Sequence, residues 1–488
     1  MISCGALFST AWRWLAPAVA ALPLSVAQAA PPAQVRLATF NASLNRTAAG
    51  QLFTDLSSPA AGTAGVAQAK RIAEIIQRTA PDIILVNEFD YDTTTDAQGR
   101  TVLDLFHDNF LAVPQQPGLT ALNYPYRYTA PSNTGVHSGF DLDNSGGITT
   151  TPGSDAYGND CFGFGQFPGQ YGMAVYSRFP IQTAAVRTFR NFLWRDMPGA
   201  LLPDNATTLQ PKDWYSDAEL AVVRLSSKSH WDLPIDLGRG HTVHFLAAHP
   251  TPPVFDGTED RNGKRNHNEI RFWADYLDPL RATYHRDDAG VRGGLPAHTR
   301  FFIAGDHNAD PLRGDSVSGA AQQYTTHPLI NNTVVPSAAA FGNNTTNTAD
   351  FSPLDLRVDY ALPSKSGFTI LGSGIYWPVA PHAQASLVTN ANASDHRLVW
   401  MDLQPVPILA LAVQNLDAIH ENGSVRISFR SSAGHTYLLE ETTAVHTGPW
   451  TAVPNAAFSI APDGTASVTV PVSIPGRRYY RVVVGFAP

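Results

Sequence analysis

The chain of 488 residues is 43% hydrophobic and 15% charged, and its 33 basic and 41 acidic residues give a formal net charge of −8. This composition excludes a disordered chain, and the acidic balance argues against a protein that coats nucleic acid nonspecifically. The length allows a large core and more than one domain.

At the N-terminus, Met1 to Ala29 carries Arg13, an apolar run from Leu15 to Leu24 and the tripeptide Ala27-Gln28-Ala29. This is the pattern of a secretory signal peptide with its cleavage site. The run is short and broken by Pro17 and Pro23, and no later stretch is long enough for a transmembrane helix. Cleavage removes Cys4 and leaves Cys161 as the only cysteine, so no intrachain disulfide can form. The mature chain is expected in the periplasm or the medium as a monomer, with no protein partner indicated.

Val35 to Asn41 alternates as a strand does and ends on Asn41. Val66, Ala69, Ile72, Ala73 and Ile76 then form a helical stripe that Pro81 ends, and Asp82 to Asn87 reads as a buried strand delivering Glu88. From about Ser132 to Gln170 the chain is rich in Gly, Asn and Asp. Within it, Asp141, Asp143 and Ser145 occupy the first, third and fifth positions of a Ca²⁺-type loop, with Gly146 at the sixth. Position twelve is Pro152 rather than Glu, so the EF-hand pattern fails, and a turn-rich surface loop is the other reading. Tyr171 precedes a further core strand, Gly172 to Ile181, and is a candidate substrate contact. Ser226 to Asp232 gathers hydroxyls, a cation and an aromatic ring, so Lys228 and His230 are candidates for holding a phosphate or sugar; a solvated hairpin tip is the alternative.

The order strand, polar residue, helix, strand, carboxylate then recurs. Thr242 to Ala248 closes on His249, a helix is expected over about Asn266 to Leu280 with Ile270, Trp273, Leu277 and Leu280 on one face, and Phe301 to Ala304 is a second buried strand. Gly305 allows a close turn, and Asp306 and Asn308, two apart, point the same way at the strand's carboxyl end. Such an oxygen pair suits Mg²⁺, Mn²⁺ or Ca²⁺ better than a soft metal. Two halves of this kind predict an α/β fold of two face-to-face mixed β-sheets with helices outside and one site at their shared end. Beyond Pro405-Val406-Pro407, short alternating runs around Val425, Val468 and Tyr479 predict a small C-terminal β-sandwich. The expected divisions are a signal peptide over 1–29, a catalytic domain over 30–404 and the β module over 405–488.

Taken singly, Asn41, Glu88 and His249 each have an ordinary structural explanation. Together with Val86-Asn87-Glu88, Gly305-Asp306-His307-Asn308, Arg357-Val358-Asp359-Tyr360 and Ser394-Asp395-His396, they stand in an order that resembles the endonuclease/exonuclease/phosphatase family. That family includes deoxyribonuclease I, apurinic endonucleases, sphingomyelinases and inositol polyphosphate phosphatases. The resemblance spans about Val35 to Leu403, with two departures: His307 replaces the usual aromatic residue, and Ala247 replaces an Asn two residues before the first histidine.

The resemblance implies a deoxyribonuclease I-like four-layer sandwich and hydrolysis of a phosphate ester by in-line attack of water. Asn41, Glu88 and Asp395 would be metal ligands, for Mg²⁺ or Mn²⁺, with Ca²⁺ a further option. Asp306 would be the base, Asn308 would position water and phosphate, Asp359 would orient His396 on the phosphate, and His249 would donate to a nonbridging oxygen or act as an acid. The substrate could be nucleic acid, phospholipid or a small phosphate ester. A phosphodiesterase or nuclease is the first reading, ahead of a phosphomonoesterase or a sphingomyelinase-like phospholipase. No dense Lys/Arg run marks a nuclease groove, and Phe162 to Phe167 is the stretch a phospholipase could use as an apolar hairpin. A noncatalytic surface-binding protein on the same fold is the reading from another class; the retained carboxylates and histidines speak against it.

Overall fold

A computed structural model describes residues 31–486 apart from 206, 209, 239–240, 297–298, 391–392, 407–413, 422–423, 432–434, 444–449 and 472–477. The expected signal segment therefore lies outside the described residues. Strand β1 (Val35–Asn41) runs parallel to β2 (Ile83–Asn87), with the helix Ala64–Thr79 between them in sequence. Thr63 caps that helix by accepting the Val66 amide, and Ala80, left-handed at φ 45°, ends it just before Pro81. Strands β3 (Tyr126–Tyr128) and β4 (Met173–Ser177) extend the sheet beyond β2.

The second half repeats the pattern. Strands β5 (Arg187–Thr188), β6 (His230–Asp236), β7 (Thr242–Ala248) and β8 (Phe301–Asp306) form a second sheet in which β7 and β8 are the parallel pair. The helix between them spans Arg261–Tyr276. It stops short of the expected end: Pro279 cannot continue a helix, and Leu280, expected on the buried face, is 87% exposed.

A two-stranded ribbon of β9 (Ala349–Asp350) and β10 (Asp355–Leu356) precedes β11 (Asp359–Pro363), which joins β8 antiparallel with Asp359 opposite Asp306. Strands β12 (Phe368–Ile375) and β13 (Val399–Pro405) return to the first sheet, β13 pairing antiparallel with β1. The orders are β12-β13-β1-β2-β4-β3 and β11-β8-β7-β6-β5.

Alternation explains why the central strands read as unbroken apolar runs. Phe245, Ala247, Phe302 and Ala304 face the first sheet in one core, while Leu246, Ala248, Ile303 and Tyr360 pack with Ile270, Trp273 and Tyr276 of the second helix in another. Burying a side chain such as Trp273 contributes about 1.5–3 kcal/mol. The result is the expected four-layer sandwich.

The tail forms two further sheets. One contains β14 (Gln414–Glu421), β15 (Ser424–Arg430), β18 (Ser459–Ile460) and β19 (Thr465–Pro471); the other contains β16 (His435–Thr442), β17 (Thr451–Ala457) and β20 (Tyr479–Phe486). Ile427, Val468 and Val470 of the first share a core with Leu439 of the second. No helix among the described residues is long and apolar enough to cross a membrane.

Candidate active site

The strand ends of the two sheets meet at Asp306. Its Oδ2 receives the Asn41 amide at 3.1 Å and the Asn308 amide at 3.2 Å, and His249 Nε2 and His396 Nε2 approach the same atom to 3.4 and 3.6 Å. Its Oδ1 accepts the Asn308 backbone N–H at 2.9 Å. Asn41 also donates to Glu88 Oε1 at 3.0 Å, while its own oxygen accepts the Ser43 amide. In this orientation Asn41 ties two carboxylates together through its nitrogen. Glu88 and Asn308 both sit in left-handed backbone, at φ 57° and 53°, a conformation uncommon for Glu.

Asn87, whose role the sequence did not reveal, joins the two sheets. Its side-chain oxygen accepts the Asp306 amide at 3.2 Å and its nitrogen donates to the Ala248 carbonyl at 3.3 Å. It thereby fixes the ends of β2, β7 and β8 against one another. Thr348 does similar work for β11, its hydroxyl oxygen accepting the Val358 and Asp359 amides.

The two histidines are driven apart in protonation. Burial works against a charged His396, but Asp359, whose Oδ2 lies 2.9 Å from Nδ1, and Asp306 outweigh it and push the imidazole up to about 10. Burial, with the Lys228 charge, holds His249 down to about 4. Burial also opposes the charge of Asp306, yet His396 and the His249 hydrogen bond keep its carboxyl well below the usual range. Near neutral pH the site therefore presents a carboxylate between a neutral imidazole and an imidazolium, a separation of roles typical of acid–base sites. Burial raises Glu88, with Asn41 acting the other way.

Glu88, Asp306, Asp359 and Asp395 supply hard oxygens here. Ligand atoms of Asp306, Asp359 and His396 lie within 4.8 Å of one another, and because a protonated His396 has no lone pair to give, the carboxylates are the donors of this group. The buried Asp359 Oδ1 has no hydrogen-bonding partner among the described residues. This donor set fits a hard divalent cation. Asp395 is half-buried beside Ser43, and its charge acts on both Glu88 and His396.

The sequence profile of the endonuclease/exonuclease/phosphatase family matches residues 38–396, most of the chain. The chain belongs to this family. It is accordingly a metal-dependent hydrolase of phosphate esters. Among solved structures, an endonuclease/exonuclease/phosphatase from Beutenbergia cavernae DSM 12333 is 15% identical, with 93% of this chain and 100% of that one covered and a TM-score of 0.43. A family protein from Leptotrichia buccalis C-1013-b is 13% identical over 75% and 98% of the two chains, with a TM-score of 0.38. One from Bacteroides thetaiotaomicron is 12% identical over 78% and 100%, with a TM-score of 0.36. No curated protein matches the sequence.

Ala247, at one of the two departures from the family pattern, is buried in the core between the sheets, and His249 Nδ1 is buried without a hydrogen-bonding partner among the described residues. His307 packs against Tyr324 and Tyr360, with Nδ1 3.3 Å from the Tyr324 hydroxyl, so it keeps the ring-packing role of the aromatic it replaces.

The other candidates scatter. Lys228 is buried and its charge acts on Glu88, Asp306 and His249. Tyr171 is half-buried against Phe164, and its hydroxyl, pushed up to about 12 by burial, also feels Glu88. His230 does not face the site. Its ring packs on Phe272 and Trp273, and its nitrogens are engaged by the Ser226 hydroxyl and the Glu269 carbonyl, so it is a core residue rather than a substrate contact. Burial holds His230 down to about 3. An unfolded histidine takes up a proton below about pH 6.5, so this stability contribution is full above that pH and is lost as pH falls toward 3. Urea unfolding at pH 6 and pH 4 should show His230→Leu less acid-sensitive than wild type by about 1.4 kcal/mol per pH unit; equal slopes would contradict the assignment.

In the acidic loop, Asp141 and Asp143 are joined by Asp160, a distant residue that the spacing of the loop could not reveal. Ser145 instead donates its amide to both Asp141 and Asp143. Phe162 to Phe167 is not an exposed apolar hairpin. Phe167 is buried, Arg224 lies over the Phe162 ring at 4.0 Å, and Phe164 is 43% exposed.

Proposed function

We propose that this family member is an exported, Mg²⁺- or Mn²⁺-dependent phosphodiesterase that hydrolyses its substrate by in-line attack of water. The observation that supports it is the Asp306 carboxylate held between neutral His249 and protonated His396 beside Glu88. Asp306 takes the proton of the attacking water, which Asn308 orients through its amide. The P–O bond to the leaving group breaks as the new P–O bond forms. His396, its tautomer fixed by Asp359, donates to the phosphoryl group and supplies the proton the leaving oxygen needs, while His249 offers its Nε2 hydrogen to a nonbridging oxygen. A divalent cation bound by Glu88 and Asp395 would polarise the phosphoryl oxygens and stabilise the leaving oxygen. The protein's own positive charge here, His396 and Lys228, suits the single charge of a diester better than a dianionic monoester. Export rests on the signal pattern of the first 29 residues.

The protein recovered from periplasm or medium, with its N-terminus at Ala30, should hydrolyse bis(p-nitrophenyl) phosphate in Mg²⁺ or Mn²⁺, lose turnover in EDTA and act more weakly on p-nitrophenyl phosphate. Faster monoester turnover, or turnover that survives EDTA, would overturn the reading. DNA, RNA and phospholipid are then the natural substrates to compare.

A further inference from the structure

Lys228 lies in the loop that enters β6, and only 6% of it is exposed. Its ammonium makes no hydrogen bond or ion pair among the described residues. A cation on so largely buried a side chain is favoured when an anion meets it. The Ser227 hydroxyl beside it reaches the His249 carbonyl at 3.4 Å, which sets this loop against the catalytic strand end. Burial lowers the Lys228 pKa, with Glu269, Glu88 and Asp306 acting in the opposite direction.

The backbone that carries Lys228 is held from the second long helix. Glu269 Oε1 accepts the Ser227 amide at 2.7 Å and the Ser227 hydroxyl at 3.0 Å. Its Oε2 accepts the Thr251 amide at 2.7 Å. One buried carboxylate thus pins the residue before Lys228 and the segment just after His249, and its backbone carbonyl also takes the His230 ring at 3.0 Å. Nothing in the reaction itself requires Glu269, yet three backbone and hydroxyl donors are spent on it.

We propose that Lys228 contacts the substrate's phosphoryl oxygens as a specificity-determining cation, and that Glu269 is the positioning residue that fixes it beside His249. This rests on the phosphodiesterase reading above. A Lys serves such a site as a point charge, attracting phosphate without dictating the groups attached to it.

The test is calorimetric titration of inorganic phosphate into the Mg²⁺-loaded full chain, with bis(p-nitrophenyl) phosphate kinetics alongside, for wild type, Lys228→Met, Lys228→Arg, Glu269→Gln and the Met/Gln double variant. Lys228→Met should weaken phosphate binding about tenfold or more and raise KM, with no fall in melting temperature because Met fills the same largely buried space without a charge. Lys228→Arg should recover part of the affinity. Glu269→Gln keeps an acceptor for Ser227 but offers Thr251 an N–H, so it should weaken phosphate binding in the wild-type background and add nothing further to Lys228→Met. A merely structural Glu269 would weaken both backgrounds equally. Unchanged phosphate affinity in Lys228→Met, with wild type turning over the diester, overturns the assignment and leaves the phosphodiesterase reading standing. A wild type that neither binds phosphate nor hydrolyses either ester with any metal overturns that reading and the assignment together.

Discussion

Asp306→Asn should lower kcat/KM for bis(p-nitrophenyl) phosphate by about 10³-fold or more with the fold intact. Asn41, Asn308, His249 and His396 all converge on one carboxylate oxygen. An amide of the same shape either turns its NH₂ toward those donors or turns it toward the Asn308 backbone N–H that the other oxygen now accepts. In both orientations the base is gone and a buried donor faces another donor. His396 also loses one of the three carboxylates that keep it charged. Circular dichroism should show native secondary structure, and turnover within tenfold of wild type would remove Asp306 from the role of base.

Gly305→Ala should be the most damaging small substitution near the site. Gly305 has φ 152°, and a Cβ there would lie 2.0 Å from the Ala248 carbonyl oxygen, far inside van der Waals contact. The oxygen belongs to backbone and the Cβ position is fixed by it, so relief requires β7 and β8 to separate at their carboxyl ends. That carbonyl is also the acceptor for Asn87, the bond that locks the first sheet to the second. We expect a loss of about 3 kcal/mol in urea unfolding and, because His249 and Asp306 move apart, about 100-fold in kcat/KM. A variant with wild-type stability would show that the strand ends yield more easily than the close approach implies.

Much of the fold was legible because its signals are local. The stripe from Val66 to Ile76 and the apolar runs Ile83–Val86 and Phe301–Ala304 marked the halves, and alternation marked the tail. The strand-end residues Asn41, Glu88, His249, Asp306, Asp359 and His396 were legible as a set only through their order along the chain. Leu280 misled because a periodic pattern runs on past Pro279, where the backbone cannot follow.

What the sequence by itself determined is which residue types stand at the ends of buried strands, since periodicity and composition act over a few neighbouring residues. Only the tertiary structure decided what those residues do to one another. The Asn87–Asp306 bond joins residues 219 apart, and the Ser227–Glu269 bond joins residues 42 apart. It buried His230 in the core, set the Ser227–Lys228 loop against His249 and brought Asp160 to Asp141 and Asp143. Hydrogen bonds, desolvation and charge act through space over a few ångströms, and the packing of two sheets, not the spacing along the chain, sets those distances.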